Sequence, residues 1–204
     1  MTEGARSYVD IWDVKPPFAA FELSYLVALI SGRNMIFNHL MHLVIMSLMV
    51  IGTVLLIAEV LSQEFDDAGF APLVGGLSFL VYPAVYLEPI DGLRPKTVMV
   101  FFGILSIWFL LRRGYFIGGI SSVLAAFSWQ LGIVFPVFNW VESRRDRSDE
   151  KAARRFLAGM LLGCFLVLAP LLYWGSLTSM VRQTVVVPAV IGEGFYPLER
   201  LLFV

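Results

Sequence analysis

Long apolar runs separated by short charged segments constrain this chain more than any other feature of its sequence. Of its 204 residues, 58% are apolar and 15% are charged, whereas a soluble domain carries about 45–50% apolar and about 25% charged residues. A core packed in water would show a periodic apolar stripe instead of continuous runs. We therefore predict an all-α fold, a polytopic bundle of transmembrane helices in the cell membrane.

The apolar runs divide the chain into helices. A helix needs about 20 apolar residues to cross a bilayer, and spans are predicted at about 35–61, 71–87, 97–111, 115–129, 131–141 and 156–174. Residues 18–31 would reach only about 21 Å as a helix. We predict that they form an extracytoplasmic juxtamembrane helix, which begins after Pro16 and Pro17. Residues 1–17 and 175–204 are predicted as extracytoplasmic segments.

The distribution of Lys and Arg predicts the orientation of these spans. Residues 115–141 allow either one long helix or two helices broken near Gln130 and Gly132. Six Lys and Arg residues follow in 142–155, and Arg112 and Arg113 precede. Because Lys and Arg concentrate in cytoplasmic loops, an even number of crossings should separate the two basic segments, which favours two helices. The N-terminal segment, the 88–96 loop and the C-terminal segment then share the extracytoplasmic face.

The densest polar cluster lies where the chain first meets the predicted membrane. Tyr8, Asp10, Asp13 and Lys15 lie directly before the Pro16–Pro17 pair. A lysine at this level can bind a lipid phosphate as a point charge. A nearby carboxylate can accept a proton from a hydroxyl group or hold a divalent cation. The same residues would also suit an ordinary juxtamembrane segment with solvated charges.

Other polar residues indicate little chemistry. The net charge of −1 and the lack of a basic block with interleaved aromatics argue against nucleic acid as a partner. Cys164 is the single cysteine, so it cannot form an internal disulfide. His39 and His42 lie one helical turn apart without a clear third ligand, so no metal site is predicted there. Glu59 lies near the acidic 62–70 loop and is expected to reach water. These patterns require no cofactor, and a divalent cation is the one candidate they offer.

The segment 4–34 resembles the first extracytoplasmic loop of the GT-C glycosyltransferases, which take sugars from polyprenyl-phosphate carriers and include protein mannosyltransferases and lipid A aminoarabinose transferases. The shared pattern is Gly, Tyr-x-Asp, Asp-x-Lys-Pro-Pro, an apolar juxtamembrane helix and Gly-x-Asn. It is carried here by Gly4, Tyr8, Asp10, Asp13, Lys15, Pro16, Pro17, Gly32 and Asn34. Residues 118–145 also look like the Gly-rich broken helix pair of that family, with a central Gln.

The resemblance implies a membrane enzyme that transfers a sugar from a polyprenyl-phosphate carrier to an acceptor the sequence does not identify. It implies that Lys15 holds the carrier phosphate. The same polar cluster offers Asp10 and Asp13 as catalytic candidates and Tyr8 as a further substrate-binding candidate. Two further basic residues, Arg94 and Lys96, are candidates to assist Lys15, although both would also serve as ordinary charges flanking a span.

The chain departs from the GT-C pattern at both ends. Those enzymes begin with a transmembrane helix followed by an acidic motif that supplies the catalytic base, and this sequence shows neither. We therefore expect an internal piece of a longer enzyme, which could be inactive alone. The alternatives are a transporter or channel subunit and a non-catalytic membrane assembly protein. Transport is disfavoured by the few intramembrane charges and by the lack of inverted repeats with broken helices.

Overall fold

All regular secondary structure in the described part of the chain is helical, apart from one isolated bridge between Ser7 and Ile11. The computed structural model describes residues 6–11, 13, 15–32, 34–65, 69–81, 93–145 and 149–188. The predicted all-α fold is confirmed. In chain order, the helices are α1 (Phe18–Ser31), α2 (Met35–Glu64), α3 (Ala71–Ser78), α4 (Pro95–Leu111), α5 (Tyr115–Ala126), α6 (Val134–Arg145), α7 (Ala152–Tyr173) and α8 (Leu177–Val181).

Local signals in the sequence explain where the first two helices begin and end. α1 starts directly after Pro17 with a π-helical turn and ends at Gly32, whose φ of 61° suits a residue without a Cβ. The Asn34 side chain then accepts a hydrogen bond from the Phe37 backbone N–H at 3.0 Å, which caps α2. A three-residue link therefore connects the two helices.

The segment 115–141 contains two helices. α5 ends at Ala126, a 3₁₀ turn covers Gln130–Ile133, and α6 begins at Val134. Gly132 lies against the Ala125 carbonyl so closely that a Cβ at this position would clash with backbone. Each helix has 12 residues and is about 18 Å long, well short of the roughly 30 Å hydrocarbon core of a bilayer. The pair therefore forms a short hairpin.

Two helices are long and apolar enough to cross a membrane, Met35–Gln63 and Ala152–Tyr173. Shorter apolar helices occur at Phe18–Ser31, Ala71–Val81, Pro95–Leu111 and Tyr115–Ala126. The second predicted span, 71–87, is helical to Val81, and its remainder lies outside the described residues. These features agree with a membrane helical protein, while the number of crossings stays a prediction.

Small and polar residues set the packing of the central helices. At the crossing of α5 and α7, Gly119 faces the backbone of Phe156 and Gly159 faces the backbone of Phe116. Small residues of this kind let helix backbones approach closely in membranes. α4 and α6 are joined by a buried hydrogen bond, which the Asn139 side chain donates to the Ser106 hydroxyl at 2.7 Å.

Three contacts define one end of the bundle, called here the Lys15 end. The Phe18 backbone N–H donates to the Phe127 carbonyl at 2.9 Å, next to the turn that follows α5. The Lys96 ammonium lies 5.5 Å from the ring centroid of Trp129. Gln183, just beyond α8, donates to the Tyr8 carbonyl at 2.7 Å. The N-terminal segment, the start of α4, the turn after α5 and the C-terminal helix therefore meet at this end.

The opposite end of the bundle, called here the Arg112 end, carries more of the described Lys and Arg residues. Arg112 at the end of α4 pairs with Glu59 near the end of α2, at 2.5 Å between guanidinium and carboxylate atoms. The basic residues described at this end are Arg112, Arg113, Arg144, Arg145, Lys151, Arg154 and Arg155. Those at the Lys15 end are Arg6, Lys15, Arg94, Lys96 and Arg182.

Candidate functional site

Tyr8 is the buried anchor of the N-terminal segment. Its side chain is only 1% exposed and packs edge-on against Phe21 with 4.8 Å between ring centroids. Its hydroxyl donates to the Lys15 carbonyl at 2.5 Å. Burial raises the pKa of this hydroxyl, and the carboxylates of Asp13 and Glu22 raise that pKa further, so the group remains a donor at neutral pH. In the structure this hydroxyl supports the backbone of Lys15, and the predicted contact of Tyr8 with substrate stays a prediction.

Asp13 and Lys15 belong to the same hydrogen-bonded network. The Lys15 backbone N–H donates to Oδ1 of Asp13 at 2.9 Å. The Asp13 backbone N–H donates to Oε1 of Gln183 at 3.1 Å, across 170 positions of sequence. The Lys15 side chain is half-buried, and within the described residues no ion pair or side-chain hydrogen bond engages its ammonium group. The backbone of Lys15 is therefore fixed by its neighbours in the N-terminal segment.

Asp10 occupies the outer side of the same turn. Its Oδ2 accepts hydrogen bonds from the backbone N–H of Arg6 at 2.8 Å and from Nε of Arg6 at 3.3 Å. The backbone hydrogen bond, followed by the side-chain one, lowers the pKa of this exposed carboxyl. Asp10 therefore bonds to Arg6, whereas Asp13 bonds to Lys15. In the described ranges, no three His, Cys, Asp or Glu residues lie close enough together to hold a metal ion.

The two basic candidates on α4 lie at the Lys15 end. Arg94 is the residue that precedes α4, and Lys96 is exposed in its first turn. The Lys96 ammonium lies over the Trp129 ring, a cation–π contact that holds the charge beside the turn after α5. Leu93 packs into the cluster that contains Ala19 of α1. The structure thus gathers Tyr8, Asp13 and Lys15 into one network and brings Arg94 and Lys96 to the same end on another helix.

An apolar pocket of about 660 Å³ adjoins Lys15 in the chain, since Pro16 and Pro17 form part of its wall. The opposite walls come from α7, α8 and the turn after α5. Its other lining residues include Phe127, Gln130, Leu168, Met180 and Val185. Lys15 is thus followed in sequence by two residues that line an apolar pocket. A positive charge next to an apolar surface suits an amphiphile with an anionic head.

A second pocket of about 850 Å³ lies between α1 and α7 and contains Glu22. Several aromatic rings line it, among them Tyr25 and Trp174, which meet edge-on at 6.0 Å between centroids. Oε1 of Glu22 is buried and has no hydrogen-bond partner within the described residues. Burial raises the pKa of this carboxyl to about 8.

Sequence reasoning missed Glu22 and Gln183. A single acid in the apolar helix 18–31 was a usable signal for Glu22, because ionisable groups are rare in such segments. Gln183 offered no comparable signal, since its contacts lie 170 and 175 positions away in sequence.

Comparison with known proteins identifies the family. The DolP-mannose mannosyltransferase family profile matches residues 4–169. A dolichol phosphate-mannose mannosyltransferase of Haloferax volcanii is 31% identical over 203 residues, which covers 98% of this chain and 43% of that protein. The chain belongs to the DolP-mannose mannosyltransferase family. No solved structure matches it.

Family membership confirms the resemblance drawn from residues 4–34 to enzymes that use polyprenyl-phosphate sugars. The match to the DolP-mannose mannosyltransferase profile includes every candidate site residue from Tyr8 to Lys96 and ends before Gln183. The chain spans less than half of the length of its Haloferax relative.

Proposed function

We propose that this chain forms the carrier-binding part of a membrane mannosyltransferase that takes mannose from a polyprenyl-phosphate carrier. The observation that carries the proposal is the position of Lys15. Its backbone is held by Tyr8 and Asp13, its ammonium has no described partner, and the next two residues line an apolar pocket. The ammonium would bind the carrier phosphate, and the pocket would hold the adjoining part of the carrier chain.

The proposed reaction breaks the bond between the anomeric carbon of mannose and the phosphate oxygen, so negative charge develops on the leaving phosphate. A fixed positive charge at Lys15 stabilises that charge, and Arg94 and Lys96 supply further positive potential at the same end. An acceptor hydroxyl attacks the anomeric carbon and gives its proton to a carboxylate. Asp13 and Asp10 are the candidates that this chain offers for that role.

The proposed location is a multi-pass arrangement in which the Lys15 end faces the extracytoplasmic side. Seven basic residues lie at the Arg112 end and five at the Lys15 end of the described structure. Cytoplasmic ends of membrane proteins carry the excess of Lys and Arg, which supports this orientation. The alternatives from the sequence, a transporter or channel subunit and a non-catalytic membrane assembly protein, are not favoured, because the matching family is one of mannosyltransferases.

The test is binding of a polyprenyl-phosphate mannose by the purified protein in detergent. Lys15→Ala removes the proposed phosphate ligand, and we expect a loss of affinity of about tenfold or more, since hydrogen bonds to charged groups contribute about 1.5–3 kcal/mol. Lys151→Ala is the matched control, because Lys151 is exposed at the Arg112 end. Equal affinities of wild type and Lys15→Ala, or an equal loss in Lys151→Ala, would overturn the proposal.

A further inference from the structure

Gln183 connects the C-terminal helix to the segment that presents Lys15. Its Nε2 donates to the Tyr8 carbonyl at 2.7 Å, and its Oε1 accepts from the Asp13 backbone N–H at 3.1 Å. One amide side chain thus satisfies two backbone groups that lie five residues apart. The Gln183 side chain is 6% exposed, so water cannot readily replace it as the partner of these groups.

The two residues whose backbone Gln183 holds are bonded to Lys15 through their side chains. Tyr8 donates its hydroxyl to the Lys15 carbonyl, and Asp13 accepts from the Lys15 N–H. Both polar groups of the Lys15 backbone therefore end on residues that Gln183 fixes.

Backbone strain at Tyr8 indicates why such a residue is needed. Tyr8 has a φ of 62°, which places a bulky side chain in the left-handed region. Such a conformation persists only where surrounding contacts determine it. Gln183 bonds the carbonyl of this strained residue directly, and it lies in the π-helical turn Arg182–Val186, a kind of turn that occurs frequently at functional sites.

We infer that Gln183 is a positioning residue, which holds the Tyr8–Lys15 segment so that the Lys15 ammonium meets the phosphate of the carrier. The inference rests on the proposed function of Lys15. It extends the site to residue 183, beyond the family match at residues 4–169. It also gives the C-terminal helix a role in donor recognition.

The test measures preference for phosphate rather than affinity alone. Binding of a polyprenyl phosphate is compared with binding of the matching polyprenol, and the ratio of the two affinities reports the phosphate contact. Gln183→Met keeps the length of the side chain and removes both hydrogen bonds, and we expect the ratio to fall about tenfold. Gln63→Met is the matched control, because Gln63 is exposed near the Arg112 end and bonds only to Glu59 in the described structure.

A second measurement separates positioning from general stability. In a Lys15→Ala background, Gln183→Met should leave the ratio unchanged, because the group it positions has been removed. Hydrogen exchange should become faster in peptides that cover residues 6–17 of Gln183→Met and should be unchanged elsewhere. Tyr8→Phe, which removes the bond to the Lys15 carbonyl, should lower the ratio in the same direction and replaces Gln183→Met if that variant does not fold.

The outcomes distinguish the inference from the function on which it rests. A wild-type protein that prefers the phosphate, with an unchanged ratio in a folded Gln183→Met, overturns the inference and leaves the proposed function standing. If Gln183→Met lowers the ratio equally in the wild-type and the Lys15→Ala backgrounds, the inference is also overturned. A wild-type protein with no preference for the phosphate refutes the proposed function and the inference together.

Discussion

Gly159→Ala should destabilise the bundle, although alanine normally favours a helix. Gly159 lies in α7 where it crosses α5, and a Cβ at this position would overlap the Phe116 carbonyl and press on the backbone of Ile120. Replacing a glycine inside a helix by alanine gains about 1 kcal/mol of helix propensity. Forcing an extra carbon into a packed interface costs about 1–3 kcal/mol, and the upper part of that range applies because the obstacles are backbone atoms. We expect a net loss of about 1–2 kcal/mol.

The assay is thermal unfolding in detergent, where that loss corresponds to a fall in Tm of about 2–8 °C for a chain of this size. Gly163→Ala is the first comparison: its nearest obstacles include side-chain atoms of Val123, the closest at 3.0 Å, and its effect should be smaller. Ala158→Val is the second, since Ala158 is exposed on the same helix. Gly119→Ala should add little to Gly159→Ala, because both push the same two helices apart. A Gly159→Ala protein as stable as the wild type would refute this reasoning about the α5–α7 contact.

Three further predictions concern side chains away from that crossing. Ser106→Ala should lower the free energy of unfolding by about 1–2 kcal/mol, because it leaves the buried amide of Asn139 without its acceptor. Chemical unfolding measures this loss, which should be smaller in an Asn139→Leu background. Glu22→Gln should have the same free energy of unfolding as the wild type near pH 4 and a higher one at pH 8, by on the order of a few kcal/mol. The reason is that the Glu22 pKa is raised to about 8 in the folded state, so the wild type loses stability as the pH rises from the unfolded value of 4.5. Identical profiles of Tm against pH would contradict this prediction. Glu59→Gln should leave Tm nearly unchanged, because the pair with Arg112 is exposed on both sides. A fall in Tm beyond a few degrees would contradict this prediction.

Much of the fold could be predicted because its signals are local. Apolar composition and run length predict an all-α membrane protein, and the helix ends coincide with residues whose backbone chemistry is read directly from sequence. Asn34 caps α2 through its own side chain, and Gly32 adopts the positive φ that glycine tolerates. The helix break between Ala126 and Val134 follows from Gly132 and the flanking polar residues.

The geometry of the site could be predicted only in part. Some of the residues that make up the site could be named from the Asp-x-Lys-Pro-Pro segment, because Asp13 and Lys15 are neighbours in sequence and bond to each other. The remainder depends on contacts between distant segments, such as the Trp129 ring beside Lys96 and Gln183 beside Tyr8. No periodicity or local motif predicts which helices will meet. The burial of Tyr8 likewise depends on distant residues, since Leu171 and Met180 belong to the same buried cluster.

The most direct test of the account is photo-crosslinking with a polyprenyl phosphate that carries a photoreactive group in its first isoprene unit. The phosphate is proposed to bind Lys15 and the chain to enter the pocket formed by Pro16, Pro17 and Phe127. We expect crosslinks in peptides that contain residues 15–18 and 126–133, and we expect Lys15→Ala to abolish them. Crosslinks concentrated at the Arg112 end, or crosslinks at the Lys15 end that persist in Lys15→Ala, would contradict the account.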